Sequence, residues 1–164
     1  MSKPPVRRAL TAAAVLLLAF ASCSSPNSLD GSVAEAFDLA FSSVQIRRSP
    51  KAVAISYLRS HGNEIVINLT VDLEGLNVTH GGDVNLAEEY LPGHQRAAVS
   101  RAVDNEPVRA LPGIARGTLS LDHDPTPGQE SAGSFSLSFK EDGDMGGGRT
   151  LVGTFDATVE GTAY

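Results

Sequence analysis

The dominant period along the chain is two. Ile65, Ile67, Leu69, Val71 and Leu73 fall on one side of an extended segment, with Asn68, Thr70 and Asp72 on the other. That is the pattern of a β-strand with one buried face. Upstream, Ala52, Ala54 and Leu58 interleave with Val53, Ile55 and Tyr57, and residues 60–63 separate the two runs at hairpin length. Phe37, Leu39 and Phe41 repeat the alternation and predict a first strand, which Pro50 ends. Between Asn77 and Leu86 the pattern breaks into shorter pieces, and Gly81 with Gly82 predicts a turn or bulge there.

The last third is the second regular block. Leu119 and Leu121 alternate with Thr118, Ser120 and Asp122; Phe135, Leu137 and Phe139 alternate with serines; Leu151, Gly153, Phe155, Ala157 and Val159 complete the series. The connections, residues 123–133 with Pro125, Pro127 and Gly128, and residues 141–149, are polar and turn-rich, so three consecutive strands read as a meander. The stretch between Ala87 and Ile114 is mixed. Ala97, Ala98, Val99, Ala102 and Val103 fit a short helix or a strand, and the strand is preferred because Pro92, Pro107 and Pro112 exclude a long helix. Together these runs predict an all-β fold of about 7–9 short strands, an antiparallel β-sandwich or a barrel-like closure.

The N-terminus is built differently. Lys3, Arg7 and Arg8 precede the uncharged residues 9–21, which is the layout of a secretory signal. The run is short of the roughly 20 apolar residues that a spanning helix needs. Directly behind it stands Cys23, the chain's one cysteine. Exported proteins keep their cysteines mostly in pairs, as disulfides, so a lone cysteine at this position points to another use.

Ala21, Ser22 and Cys23 resemble the lipobox of bacterial envelope lipoproteins, in which small residues precede a cysteine that is acylated and becomes the new N-terminus; Phe20 stands where that family prefers leucine. The resemblance implies a lipid attachment at Cys23 and, with Ser24 rather than an aspartate next to it, a place at the outer membrane. Residues 1–22 then form the signal peptide, 23–34 the lipidated cysteine with a flexible polar tether, and 35–164 a single all-β domain. A second resemblance covers the last third. Gly117 to Leu121, Gly133 to Phe139 and Gly153 to Ala157 look like a three-strand pattern of envelope lipoproteins of high-GC Gram-negative bacteria. It implies a β-rich lipoprotein and no particular activity.

Charge narrows the partners. The precursor carries 13 basic and 19 acidic residues, and removal of Lys3, Arg7 and Arg8 with the signal leaves a net charge of −9. A nucleic-acid binder is expected to carry the opposite sign. The same acidity disfavours electrostatic adhesion to anionic lipid, so membrane contact is expected through acyl chains, with another envelope protein as the further partner. No cofactor is expected.

The candidate chemistry is sparse. A nucleophilic hydrolase needs a nucleophile beside a base and an orienting group; the four histidines come with no Gly-x-Ser-x-Gly elbow and no cysteine besides Cys23. The chain therefore reads as non-catalytic. Asp122, His123 and Asp124 form the densest ligand-like cluster, with His80 and Asp83 a weaker one. Strand alternation sets His123 opposite the two aspartates, so a solvated loop is the simpler reading. Asp142 and Asp144 lie in a glycine-rich stretch that calcium could use in part. That stretch is equally what a hairpin tip between two strands requires. The alternative to a protein-binding or structural role is loop-mediated binding of a small ligand, glycan or divalent cation.

Overall fold

The computed structural model describes residues 26–60, 64–78, 80–142 and 146–161. Cys23 and Asp144 lie outside the described residues. The strands are β1 (Ser28–Asp30), β2 (Ser43–Arg48), β3 (Ala52–Arg59), β4 (Glu64–Asp72), β5 (Gly82–Asn85), β6 (Glu89–Leu91), β7 (His94–Gln95), β8 (Ala97–Ala102), β9 (Arg109–Ala110), β10 (Ile114–Leu121), β11 (Glu130–Phe139) and β12 (Thr150–Gly161). A 3-10 turn spans Ser32–Glu35. Ten strands form one sheet in the order β5-β10-β11-β12-β2-β3-β4-β8-β9, with β1 also on β12, and the sheet curls into a half-barrel. β6 and β7 form a separate hairpin.

The all-β expectation holds, as do the β3–β4 hairpin, the strand at β8 and the β10–β11–β12 meander. Twelve described strands exceed the expected 7–9 because β1, β6, β7 and β9 have only two or three residues, too few for alternation to register. The sheet is mixed rather than antiparallel. β12 is longer than its neighbours and serves three of them: β11 runs along one edge, while the other takes β1 at Val152–Thr154 and then β2, in parallel, at Val159–Gly161.

Two further expectations are corrected. Phe37 and Leu39 are buried as the alternation predicts, but their segment joins no ladder. Side chains bond its backbone instead: Asp38 Oδ1 accepts from Ala40 N, Arg59 donates to the carbonyls of Asp38 and Ala40, and Arg101 donates to Asp38 O. The tether expected over residues 23–34 is part of the fold from Pro26 onward. β1 pairs with β12, and Val33 is fully buried.

The core is one cluster drawn from both walls of the half-barrel. At its centre, β11 and β12 exchange rings for glycines: Phe135 stands opposite Gly153, and Gly133 opposite Phe155. A Cβ on Gly153 would lie 2.6 Å from the Phe135 ring and from Tyr57 Oη, and one on Gly133 would lie 2.6 Å from Phe155 Cζ. The glycines are needed for the space above them. Tyr57 crosses from β3 into this gap, donates to Thr154 O at 2.8 Å, and meets Phe41 and Phe135 edge-on at 5.0 and 6.1 Å. Burial pushes its phenol pKa well above the ordinary value. Tyr57→Phe keeps the ring and loses the hydrogen bond, so it is expected to cost about 1 kcal/mol. Urea unfolding checks this, and an unchanged midpoint would remove the bond from the list of stabilising contacts.

Candidate functional site

Because β10, β11 and β12 turn Leu119, Leu121, Phe135, Leu137, Phe139, Leu151, Gly153 and Phe155 inward, strict alternation places the residues between them on the outer face. Those residues are short and mostly hydroxylic. Register aligns them in rows: Arg116–Ser138–Thr150, Asn85–Thr118–Ser136–Val152–Asp30, and Asp83–Ser120–Ser134–Thr154–Ser28. Ser28 Oγ and Thr154 Oγ1 are 2.8 Å apart, Ser120 Oγ donates to Asp83 Oδ1 at 2.5 Å, and Arg116 Nε donates to Ser138 Oγ at 3.2 Å. Between Arg116, Thr118, Ser136, Ser138 and Thr150 the face dips into a shallow depression of about 330 Å³. Val152 is exposed on this face, between Ser136 and Asp30.

The N-terminal strand is stapled to the edge of the same face. Asn27 Nδ2 donates to Asp156 O at 3.3 Å, Asp156 N donates to Asn27 Oδ1 at 2.6 Å, and Thr154 Oγ1 donates to Pro26 O at 2.8 Å. Thr154 points outward, since its neighbours Gly153 and Phe155 face the core. Pro26 therefore sits on the outer side of the sheet.

A second concavity of about 410 Å³ lies at the end of the half-barrel, between the β2–β3 turn and the β10–β11 loop. Pro50, Pro125 and Pro127 line it together with Arg48 and Asp124, whose Nε and Oδ1 are 4.0 Å apart. Asp124 Oδ1 is buried and accepts no hydrogen bond.

The metal candidates do not converge. β10 ends at Leu121, Asp122 is exposed, and the His123 ring is engaged with Glu130 O at 2.5 Å. His80 is exposed, and its expected companion Asp83 is bonded to Ser120. Asp142 is exposed as well. Among the described residues no group of three His, Cys, Asp or Glu side chains is placed to hold a metal ion.

Two arginines that sequence reasoning passed over are the most elaborately bonded side chains. Arg101, almost fully buried, holds Glu106 through both carboxylate oxygens at 2.9 and 3.0 Å and donates to Asp38 O and Val66 O. Its guanidinium lies 5.2 Å from the centre of the Phe37 ring. Arg96 donates to Glu88 Oε2 at 2.6 Å and to the carbonyls of Asp72 and Glu74, and lies 5.1 Å from the Tyr90 ring centre. The hydrogen bonds to Arg101 and Arg96 hold the Glu106 and Glu88 carboxyls below the usual range. The signal was the period itself: Arg101 follows Ala97 and Val99 on the inward positions of β8. These arginines tie loops to the sheet.

Comparison with protein-family models, with curated proteins and with solved structures gives no match.

Proposed function

We propose that this chain is a non-catalytic envelope lipoprotein, anchored through acyl chains on Cys23, with a protein-binding or structural role at the outer membrane. The observation that carries the reading is the N-terminal sequence: basic residues, a short apolar run, and the only cysteine directly after Ala21 and Ser22. A non-catalytic role is supported by the deployment of the charged side chains, since Arg96, Arg101 and Arg149 are all engaged in holding loops. Each buried methylene contributes about 0.8 kcal/mol to membrane affinity, and one chain alone binds only marginally, so more than one chain is needed for stable anchoring.

Metabolic labelling with an alkyne fatty acid in a bacterial host tests the reading. Wild type should incorporate label and partition with membranes, and Cys23→Ala should do neither. Equal partitioning of the two forms would overturn it.

The proline-lined groove supports a second reading, loop-mediated binding of a small ligand. Its volume lies at the lower end of the range of small-molecule sites, and the Arg48–Asp124 pair in its wall offers a charged or hydroxylated ligand polar contacts. A ligand of this kind would raise the melting temperature with concentration, and Asp124→Asn should abolish that rise.

A further inference from the structure

We infer that the outer face of β10, β11 and β12 lies against the bilayer, with Arg116 toward the headgroup phosphates. The inference rests on the lipid anchor proposed above. Three residue steps separate Cys23 from Pro26, and a chain of that length spans at most about 11 Å. The radius of gyration of a folded domain of this size is about 14 Å. The connection is shorter than the body it holds, so the body cannot turn freely and the surface from which the chain departs stays near the lipid.

That surface is fixed by named contacts. Asn27 is locked to Asp156 in both directions and Pro26 O is held by Thr154 Oγ1 on the outer side of the sheet. β2 takes the same edge of β12 only from Val159 onward, so Pro26 stands where that edge meets the hydroxyl face.

The face offers headgroups hydrogen bonds rather than charge attraction. Its rows present hydroxyls, the exposed Val152 and the cation Arg116, together with three carboxylates, Asp83 bonded to Ser120, Asp30 beside Val152, and Asp156 at the Pro26 end, so the tether and the hydroxyls, not net charge, hold it to the lipid. The depression between Arg116, Ser136, Ser138 and Thr150 offers hydroxyl donors and a guanidinium to a phosphate-bearing headgroup.

The test uses the full-length lipidated protein, purified from membranes and reconstituted in phosphatidylethanolamine–phosphatidylglycerol vesicles. With Cys23 acylated, a cysteine placed at Ser136 or at Ala98 is the only free thiol. Both positions are exposed, Ser136 on the hydroxyl face and Ala98 on the outer face of β8. A fluorophore at S136C should be quenched several-fold more by headgroup spin-labelled lipid than one at A98C. Inserting ten Gly-Ser residues after Ser25 should bring the two values together. Vesicles that float with the protein but quench both positions equally, or A98C more, overturn the orientation and leave the anchor standing. Strong quenching of neither position overturns the orientation as well. Failure to float overturns the anchor, and the orientation with it.

Discussion

Gly153→Val is expected to lower stability by about 3 kcal/mol, a large part of the roughly 5–15 kcal/mol that a domain of this size possesses. Valine favours strands, and Gly153 has no left-handed backbone requirement, so local propensity alone predicts a gain. Space decides against it. The first added carbon falls 2.6 Å from two Phe135 ring atoms and from Tyr57 Oη. Relief requires the Phe135 ring to swing out of a nearly closed core, or Tyr57 to give up its bond to Thr154 O. In urea the midpoint should fall with the slope unchanged. Adding Phe135→Leu should restore part of the loss, because the two positions are cross-strand neighbours and their effects cannot be independent. Simple additivity of the two substitutions would refute the ring-over-glycine account.

The pattern of alternation made the ladder legible where a strand had five or more residues and one buried face, as in β3, β4, β11 and β12. It could not find β9 or β7, whose two residues contain no period. It misassigned residues 37–41 for a different reason. Phe37 and Leu39 do face the core, but burial at period two says only that a segment is extended. Whether it pairs depends on who takes its carbonyls, and here Arg59 and Arg101 arrive from other strands. The hydroxyl face was visible in the sequence as Ser134, Ser136 and Ser138, yet it becomes a surface only when register sets those serines beside Thr118, Ser120, Thr150 and Thr154. The attachment of residues 26–30 to β12 had no local signal at all. Ser28, Leu29 and Asp30 read as tether because their partners lie more than 120 residues away.

Arg101→Ala is expected to cost about 2–3 kcal/mol, chiefly because it leaves the buried Val66 carbonyl without its donor. The β4–β8 ladder shifts register between Ile65 and Asn68, which leaves the Val66 carbonyl to be satisfied from elsewhere. Arg101 supplies the donor, and the same guanidinium fastens Asp38 O and the Glu106 carboxylate. Its removal strands two carbonyls and opens a cavity beneath Phe37. Glu106→Gln should be milder, about 1 kcal/mol, because the Glu106 side chain is 36% exposed and water screens the pair. The two variants separate in their response to acid. Hydrogen bonding to Arg101 lowers the Glu106 pKa in the folded state, so the carboxylate's contribution is complete above its unfolded pKa and is lost as pH falls through the folded one. The stability gap between wild type and Glu106→Gln should therefore be open at pH 7 and close on acidification below the ordinary carboxylate range, while the gap to Arg101→Ala narrows but persists, since the carbonyl bonds and the packing do not titrate. Urea midpoints measured across that range check both statements. A Glu106→Gln gap that is constant with pH would mean that the ion pair contributes nothing through its charge, and that Arg101 serves the fold only as a donor to backbone.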